Sequence, residues 1–333
     1  MGDTGCRLKK ADNAFQACND SQAYPFAAIA RMAAAWKPDL VVHVGDYHYR
    51  ENACPTGMPG CAGSSWGYGY DAWRDDFFVP AQPLLKAAAW VMTRGNHESC
   101  ERAGQGWWRF LDPRPLIAGR DCNDPAFDSV GDYSDAYGVP LGDDAQLIVW
   151  DSSNTALRPL KPEDMAYKRF LQSYSQIEDI ARRARHNVAA NHHPVLGFAG
   201  NRKDRSQPLP GNRGIQSAFG ARSARYFPAQ VELLLSGHTH IWEQVSFKTE
   251  HPSQFISGIS GTLEDTEPLP DRVPEGVTPA SGAIVESMSS WVGQYGFMTM
   301  ERTGIDQWRV QVMDQAGQVV KNCRTQGRRS DCR

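Results

Sequence analysis

Charge of one sign is missing from this chain. Its 333 residues carry 35 Lys and Arg against 38 Asp and Glu, a net charge of −3, so nothing draws the whole molecule toward nucleic acid or an anionic membrane. Long apolar runs are missing too; none reaches the roughly 18 residues of a membrane span. No secretory leader is visible, because residues 8–20 read LKKADNAFQACND where an apolar stretch would stand. No C-x-x-C spacing occurs, which argues against a thiolate zinc site. With no linker, internal repeat or low-complexity segment, the sequence predicts one domain over residues 1–333.

Cysteine, by contrast, is present eight times, at 6, 18, 54, 61, 100, 122, 323 and 332. Taken in order these make four close pairs in Gly-, Asn- and Pro-rich sequence. Such pairs suit disulfides, each contributing about 2–4 kcal/mol and less for a short loop. Sequence alone leaves the connectivity open. An even set of paired cysteines predicts an oxidising compartment, periplasmic or secreted, with the targeting segment outside this sequence.

The dominant pattern is a series of short apolar runs, each ending in polar residues: DLVVHVGDYHY (39–49), AAWVMTRGNHE (88–98), AQLIVWDSS (145–153), NVAANHHP (187–194) and VELLLSGHTH (231–240). Continuous aliphatic runs of this length predict strands buried on both faces. Helical stretches lie between them. Residues 24–36 place Phe26, Ile29, Ala30 and Ala33 on one face, and residues 163–186 are amphipathic, acidic at the start and basic at the end. Alternating strands and helices predict an α/β fold. Residues 295–323 instead alternate apolar and polar, with Trp308, Val310 and Val312 at period two, which predicts antiparallel strands. Two segments, 50–82 and 196–228, read as loop-rich inserts.

In open α/β sheets ligands bind beyond the carboxyl ends of the strands, and the polar clusters stand there. They contain Asp46 and Tyr49, Asn96 and His97, His192, and His238 with His240; Asp3 stands in a similar Gly-Asp-Thr-Gly turn. Carboxylates, an amide, a phenol and three or four imidazoles suit iron, zinc or manganese. Seven donors exceed the needs of one ion and fit a pair about 3.5–4 Å apart. Any one cluster could be a solvated turn; five in series are a joint signal.

The ordered set Gly2-Asp3-Thr4-Gly5, Gly45-Asp46-Tyr47-His48-Tyr49, Gly95-Asn96-His97-Glu98, Ala189-Ala190-Asn191-His192 and Gly237-His238-Thr239-His240 resembles the calcineurin-like metallophosphoesterase superfamily, and within it the purple acid phosphatase pattern. Most of that superfamily has a His where this chain has Gly5, and Tyr49 takes its place as it does in purple acid phosphatases. The resemblance implies a four-layer αββα sandwich of two mixed sheets. It implies one ion on Asp3, Tyr49, His240 and bridging Asp46, and a second on Asp46, Asn96, His192 and His238. Hard anionic donors favour Fe(III) at the first, with Zn(II), Mn(II) or Fe(II) at the second. His97 is expected to serve the leaving-group oxygen, His193 to be a pocket wall or a support, and His43 to be structural.

The reaction so implied is hydrolysis of small-molecule phosphomonoesters by in-line attack of a metal-bound hydroxide. A phosphodiesterase or nucleotide hydrolase with the same centre is the alternative, and a metal- or phosphate-binding protein on a decayed enzyme scaffold is the alternative of another class. No nucleic-acid partner is evident, and the oligomeric state is open. Trp66, Tyr68, Tyr70 and Trp73 form either a small satellite core or a clamp for an aromatic leaving group. Arg202, Lys203, Arg205, Arg213, Arg222 and Arg225 against Asp204 alone make either a solvated loop or a guide for anions. In the resembled family the first motif follows a central strand. The sequence therefore predicts that Met1 is an internal residue, with a signal segment and a first strand upstream, and that the chain as it stands leaves an empty slot in its sheet and Asp3 on a frayed end.

Overall fold

The computed structural model describes residues 1–333 apart from 143 and 266. The five apolar runs become strands β1 (Leu40–His43), β2 (Ala89–Met92), β4 (Ala145–Val149), β5 (His186–Ala190) and β6 (Val231–Ser236), with β3 (Tyr137–Pro140) hairpinned onto β4. Strands β7 (Trp242–Phe247), β8 (Ser253–Ser257) and β9 (Val285–Trp291) follow. One mixed seven-stranded sheet has the order β9-β7-β8-β6-β5-β4-β3, with β4, β5, β6 and β8 mutually parallel. Strands β10 (Gly296–Arg302), β11 (Gln307–Asp314), β12 (Val319–Gln326) and β13 (Arg329–Cys332) make a four-stranded antiparallel meander, while β1 and β2 form a separate parallel pair.

Helices α1 (Phe26–Ala35), α2 (Val79–Leu85), α3 (Met165–Ala181) and α4 (Arg213–Gly220) cover the outer faces. Helix α1 buries Phe26, Ile29, Ala30 and Ala33, the face its spacing predicts. On the far side, α3 and α4 press Phe170, Tyr174, Ile177 and Phe219 onto Ile148, Ala189 and Leu234. The opposite face of the same strands turns Leu147, Val188, Leu233 and Phe255 toward Val44, Val91, Val310 and Val312. The result is helix, sheet, sheet, helix: two strand layers with apolar side chains interleaved between them, each closed by helices. The second strand layer is split between the β1–β2 pair and the four-stranded meander.

Four details depart from the sequence reading. Strands β1 and β2 are only half-buried, because one flank of β1 opens on a slot rather than on a neighbouring strand. Segment 50–82 is not all loop: helical turns begin at Tyr70 and run into α2, burying Trp73 and Phe77 while Trp66, Tyr68 and Tyr70 stay exposed. Segment 196–228 contains α4, capped by the Asn212 side chain, which accepts from the Ile215 amide at 3.0 Å. Within it Arg202 and Arg205 lie 3.7 and 3.5 Å from Glu267, so part of its positive charge is answered locally. Finally, Asp3 is not frayed. The Asp3 and Thr4 amides donate to Gly45 and Asp46 carbonyls at 3.0 Å each, and Ser260 and Thr262 amides donate to Gly2 and Asp3 carbonyls at 3.3 and 2.9 Å. Backbone on both sides clamps the opening turn.

All eight cysteines are paired in sequence order: Cys6–Cys18, Cys54–Cys61, Cys100–Cys122 and Cys323–Cys332. The last pair locks facing residues of β12 and β13.

One buried acid gives the fold a pH signature. Glu243, in β7, is fully buried, and among the described residues its carboxylate accepts a single hydrogen bond, from the Phe198 amide at 2.9 Å. Burial pushes its pKa from 4.5 up to about 8. The folded state thus holds this proton more tightly than the unfolded state, so the stability is complete below about 4.5 and is lost as pH rises toward 8. Between pH 5 and 8 the melting temperature of the protein is expected to fall relative to that of Glu243→Gln; parallel curves for the two proteins would refute the assignment.

Candidate metal centre

The polar clusters meet at one edge of the strand layers. Asp46 follows β1, Asn96 and His97 follow β2, His192 follows β5, and His238 and His240 follow β6. Asp3, Asp46 and His238 each adopt a left-handed backbone, with φ of 58°, 58° and 70°. For residues with side chains this conformation costs of order 1 kcal/mol or more, and here it turns three side chains sharply back over the strand ends. Two glycines make room. A Cβ on Gly95 would collide with the Asp46 carboxylate, and one on Gly237 with that of Asp3.

The side chains gather into two groups that share one carboxylate. The Tyr49 hydroxyl lies 3.1 Å from Asp3 Oδ1, 2.9 Å from Asp46 Oδ2 and 3.0 Å from His240 Nε2. On the other flank His192 Nε2 lies 3.1 Å from the same Asp46 Oδ2 and 3.1 Å from Asn96 Oδ1, which is 2.9 Å from His238 Nδ1. Donor atoms of Asp46, His192 and His238 all fall within 4.8 Å of one another. All seven residues that the sequence singled out as metal donors are therefore brought together, and His97 with them.

Surrounding contacts orient these donors. His192 Nδ1 faces the Val44 carbonyl at 2.8 Å and His240 Nδ1 the Leu263 carbonyl at 2.7 Å. Each of those nitrogens therefore carries hydrogen and turns Nε2 toward the cluster. The His240 amide donates to Asp265 at 2.9 Å. His193 stacks on His238 at 4.1 Å between ring centres, a supporting wall. His43 is buried under Tyr47 and meets the Thr4 hydroxyl at 3.0 Å, a structural role.

The electrostatics fit bound cations. Burial lifts the Tyr49 phenol well above its ordinary pKa, and Asp46 and Asp3 push it the same way. Burial also opposes the Asp46 charge, but His192 and His97 outweigh it and hold this carboxyl well below the usual range. His192 in turn is pushed up to about 9, burial being overcome by Asp46. A cation among these donors would take over the role of the protons and favour the phenolate.

His97 sits over Tyr49, with ring centres 3.8 Å apart. Its Nδ1 meets two acceptors, Glu51 Oε1 at 2.8 Å and the His48 carbonyl at 3.1 Å, and one donor, the Arg102 guanidinium at 2.5 Å. Nε2 turns toward Asp46 Oδ2, 3.8 Å away. Arg102 pairs with Glu51 beside it.

Sequence reasoning missed four supporting residues. Glu51 and Arg102 frame His97. Glu98 is buried under the motif turn, where it accepts from the amides of Asp46, Tyr47, His48 and Gly95 at 3.1, 2.8, 3.2 and 3.0 Å. Asp76 accepts from the amides of Cys6, Tyr49 and Arg50 at 2.8, 2.6 and 3.0 Å and pairs with the buried Arg50 guanidinium at 2.8 Å. One carboxylate thus ties the opening turn to the Tyr49 loop. Glu98 stood in plain view within GNHE; nothing in RDDFF marked Asp76.

The calcineurin-like phosphoesterase family model matches residues 1–242. No curated protein sequence matches the chain. Among solved structures, a purple acid phosphatase from yellow lupin (Lupinus luteus) seeds shares 15% identity at a TM-score of 0.53, covering 100% of this chain and 52% of that one. The chain therefore spans about half the length of the lupin protein. PhoD shares 15% identity at a TM-score of 0.56, covering 92% of this chain and 68% of that one. GAP50, described as the anchor in the inner membrane complex of Plasmodium, shares 13% identity at a TM-score of 0.50, covering 99% and 88%. At these identities the structural likeness speaks for the fold alone.

Asp76→Ala would leave three buried amides without an acceptor and the Arg50 charge without its partner. The expected loss is on the order of 3 kcal/mol or more, read from denaturant unfolding, with a smaller loss for Asp76→Asn. An unfolding midpoint equal to the parent's would rule out the clamp.

Proposed function

The chain belongs to the calcineurin-like phosphoesterase family, and from that premise we propose that it is a phosphomonoester hydrolase with a dinuclear metal centre. The observation that carries this reading is the shared Asp46 carboxylate, whose Oδ2 lies 2.9 Å from the Tyr49 hydroxyl and 3.1 Å from His192 Nε2. Asp3, Tyr49, His240 and Asp46 would hold one ion. Asp46, Asn96, His192 and His238 would hold the other. A phenolate and two carboxylates favour Fe(III) at the first position; an amide and two imidazoles suit Zn(II), Mn(II) or Fe(II) at the second.

Ions bound there supply Lewis acidity toward phosphoryl oxygens and a water of lowered pKa. The chain's own residues do the rest. The carbonyls of Val44 and Leu263 fix the tautomers of His192 and His240. Glu51 and the His48 carbonyl hold the His97 ring so that Nε2 faces the cluster, where it can donate to the leaving-group oxygen. Such a role is worth typically 10²–10⁴-fold. Exposed Tyr68, its ring 5.6 Å from that of His48, would be a candidate to meet the alcohol portion of a substrate. Four disulfides support an oxidising compartment, periplasmic or secreted.

Two measurements test the reading. With p-nitrophenyl phosphate and bis-p-nitrophenyl phosphate compared at pH 5 and 8, turnover of the monoester is expected to dominate. Dominant diester turnover would move the protein to the phosphodiesterases or nucleotide hydrolases, and none at all in metal-replete protein would favour a binding protein on an enzyme scaffold. His97→Ala should lower kcat about 10²-fold while metal content is unchanged; full turnover would remove His97 from the chemistry.

The metal assignment is read by spectrum. Tyr49 on Fe(III) gives a broad visible phenolate-to-iron band, and Tyr49→Phe is expected to abolish it in folded protein. Oxidised protein that holds only zinc or manganese and is colourless would overturn the iron assignment.

A further inference from the structure

The four aromatic residues at 66–73 divide between two roles. Trp73 is fully buried against Tyr47, His48 and Phe110. Tyr70 turns its ring to Phe78 and Phe110, at 6.3 and 5.9 Å between centres. These two build the satellite core that the sequence allowed. Tyr68 differs from both. Its ring lies 5.6 Å from that of His48, yet 40% of its surface stays in solvent.

Tyr68 is tied to the surroundings of His97. The His48 carbonyl meets His97 Nδ1 at 3.1 Å, and the ring of the same His48 backs the Tyr68 ring. The phenol end of Tyr68 lies among the two charges that frame His97. Burial raises its pKa, Glu51 pushes the same way, and the Arg102 guanidinium opposes them. Its backbone is anchored as well. Gly67, at φ 85°, takes a turn that favours glycine, and its amide donates to the Arg50 carbonyl at 2.8 Å. Arg50 follows the donor Tyr49 and is itself held by Asp76 at 2.8 Å. The Ser65 hydroxyl donates to Asp75 at 2.7 Å. A broad ring on a pinned backbone offers contact area at little cost in conformational entropy.

We propose that Tyr68 is a stacking platform for an aromatic group in the alcohol portion of the substrate, and that the centre prefers such phosphoesters to aliphatic ones. This rests on the phosphoester-hydrolase reading and adds a substrate class to it. His97 serves the leaving-group oxygen, so the alcohol beyond that oxygen lies on the His97 flank, where Tyr68 stands. A flat ring offers its face to another flat ring in an offset stack, whereas a puckered cyclohexane of similar size cannot match it.

The test uses unreactive phosphonates, so that binding is read apart from turnover. Benzyl-, 2-phenylethyl- and 3-phenylpropylphosphonate are each compared with the cyclohexyl counterpart by calorimetry on metal-replete protein. At the tether length that reaches Tyr68, the aromatic member is expected to bind about three- to tenfold tighter. In Tyr68→Ala that ratio should fall to about one, while Tyr68→Phe, which keeps the ring, should retain it. A substitution that merely loosened the loop would weaken both members alike and leave the ratio standing. Equal affinities within all three pairs overturn the platform, as does a ratio unchanged in Tyr68→Ala. Benzyl and cyclohexylmethyl phosphate, whose alcohols leave with similar difficulty, are then offered as substrates. Turnover of both without an aromatic binding preference keeps the hydrolase reading and removes the platform. A binding preference that Tyr68→Ala abolishes, with neither ester turned over, keeps the platform and removes the hydrolase reading.

Discussion

Two carboxylates and a phenol converge beyond the strand ends, with the Tyr49 hydroxyl 3.1 and 2.9 Å from Asp3 and Asp46. Two buried carboxylates drawn to one phenol repel each other unless cations or protons lie among them. Much of the surrounding architecture can be understood as what is needed to keep them there. Three left-handed residues aim the donors inward, glycines let the carboxylates approach, and Glu98 and Asp76 gather the amides of the motif turns beneath. A site under that internal strain holds only if its supports are rigid, and these supports are strand ends rather than free loops.

The loops that complete the centre are stiffened in a different way. Tyr49 and His97 stand on segments that leave the parallel β1–β2 pair, and the backbone around each is held by side-chain carboxylates: Asp76 at Tyr49, Glu98 from Asp46 to His48. His97 is then oriented by Glu51 and the His48 carbonyl. The geometry of the centre therefore rests on a set of supporting acids that are not themselves among its donors. Their loss acts through geometry, where displacement by about 1 Å can cost on the order of 10²-fold in rate.

Much of this was legible in the sequence, for a physical reason. A strand covered on both faces must be continuously apolar, and the residue where it emerges must turn, so strand and donor appear side by side in the text: VVHVGD, VMTRGNH, LLLSGHTH. Strands β7, β8 and β9 escaped notice because they read WEQVSF, SQFIS and VESMSSW. Polar side chains of β7 and β8 are buried, and some are joined through β13, as where Gln244 reaches Ser330 at 2.7 Å and Ser330 reaches Ser253 at 2.9 Å; those of β9 are mostly half-buried. A hydrogen-bonded interior of this kind leaves no hydrophobic signature. Asp76 was invisible for a similar reason: its partners are mostly backbone amides, which every sequence possesses. The fraying expected of Asp3 failed because its turn is clamped by a loop far along the chain, at residues 260 and 262.

The order of the disulfides bears on how the molecule can be made. Eight cysteines admit 105 pairings, yet each cysteine here joins its next neighbour along the chain, at separations of 12, 7, 22 and 9 residues. A polypeptide entering an oxidising compartment amino end first presents both members of one pair before either member of the next. With about 5–20 residues added per second during synthesis, Cys6 and Cys18 meet before Cys54 exists to compete. Where oxidation keeps pace with emergence, vectorial entry favours the native connectivity.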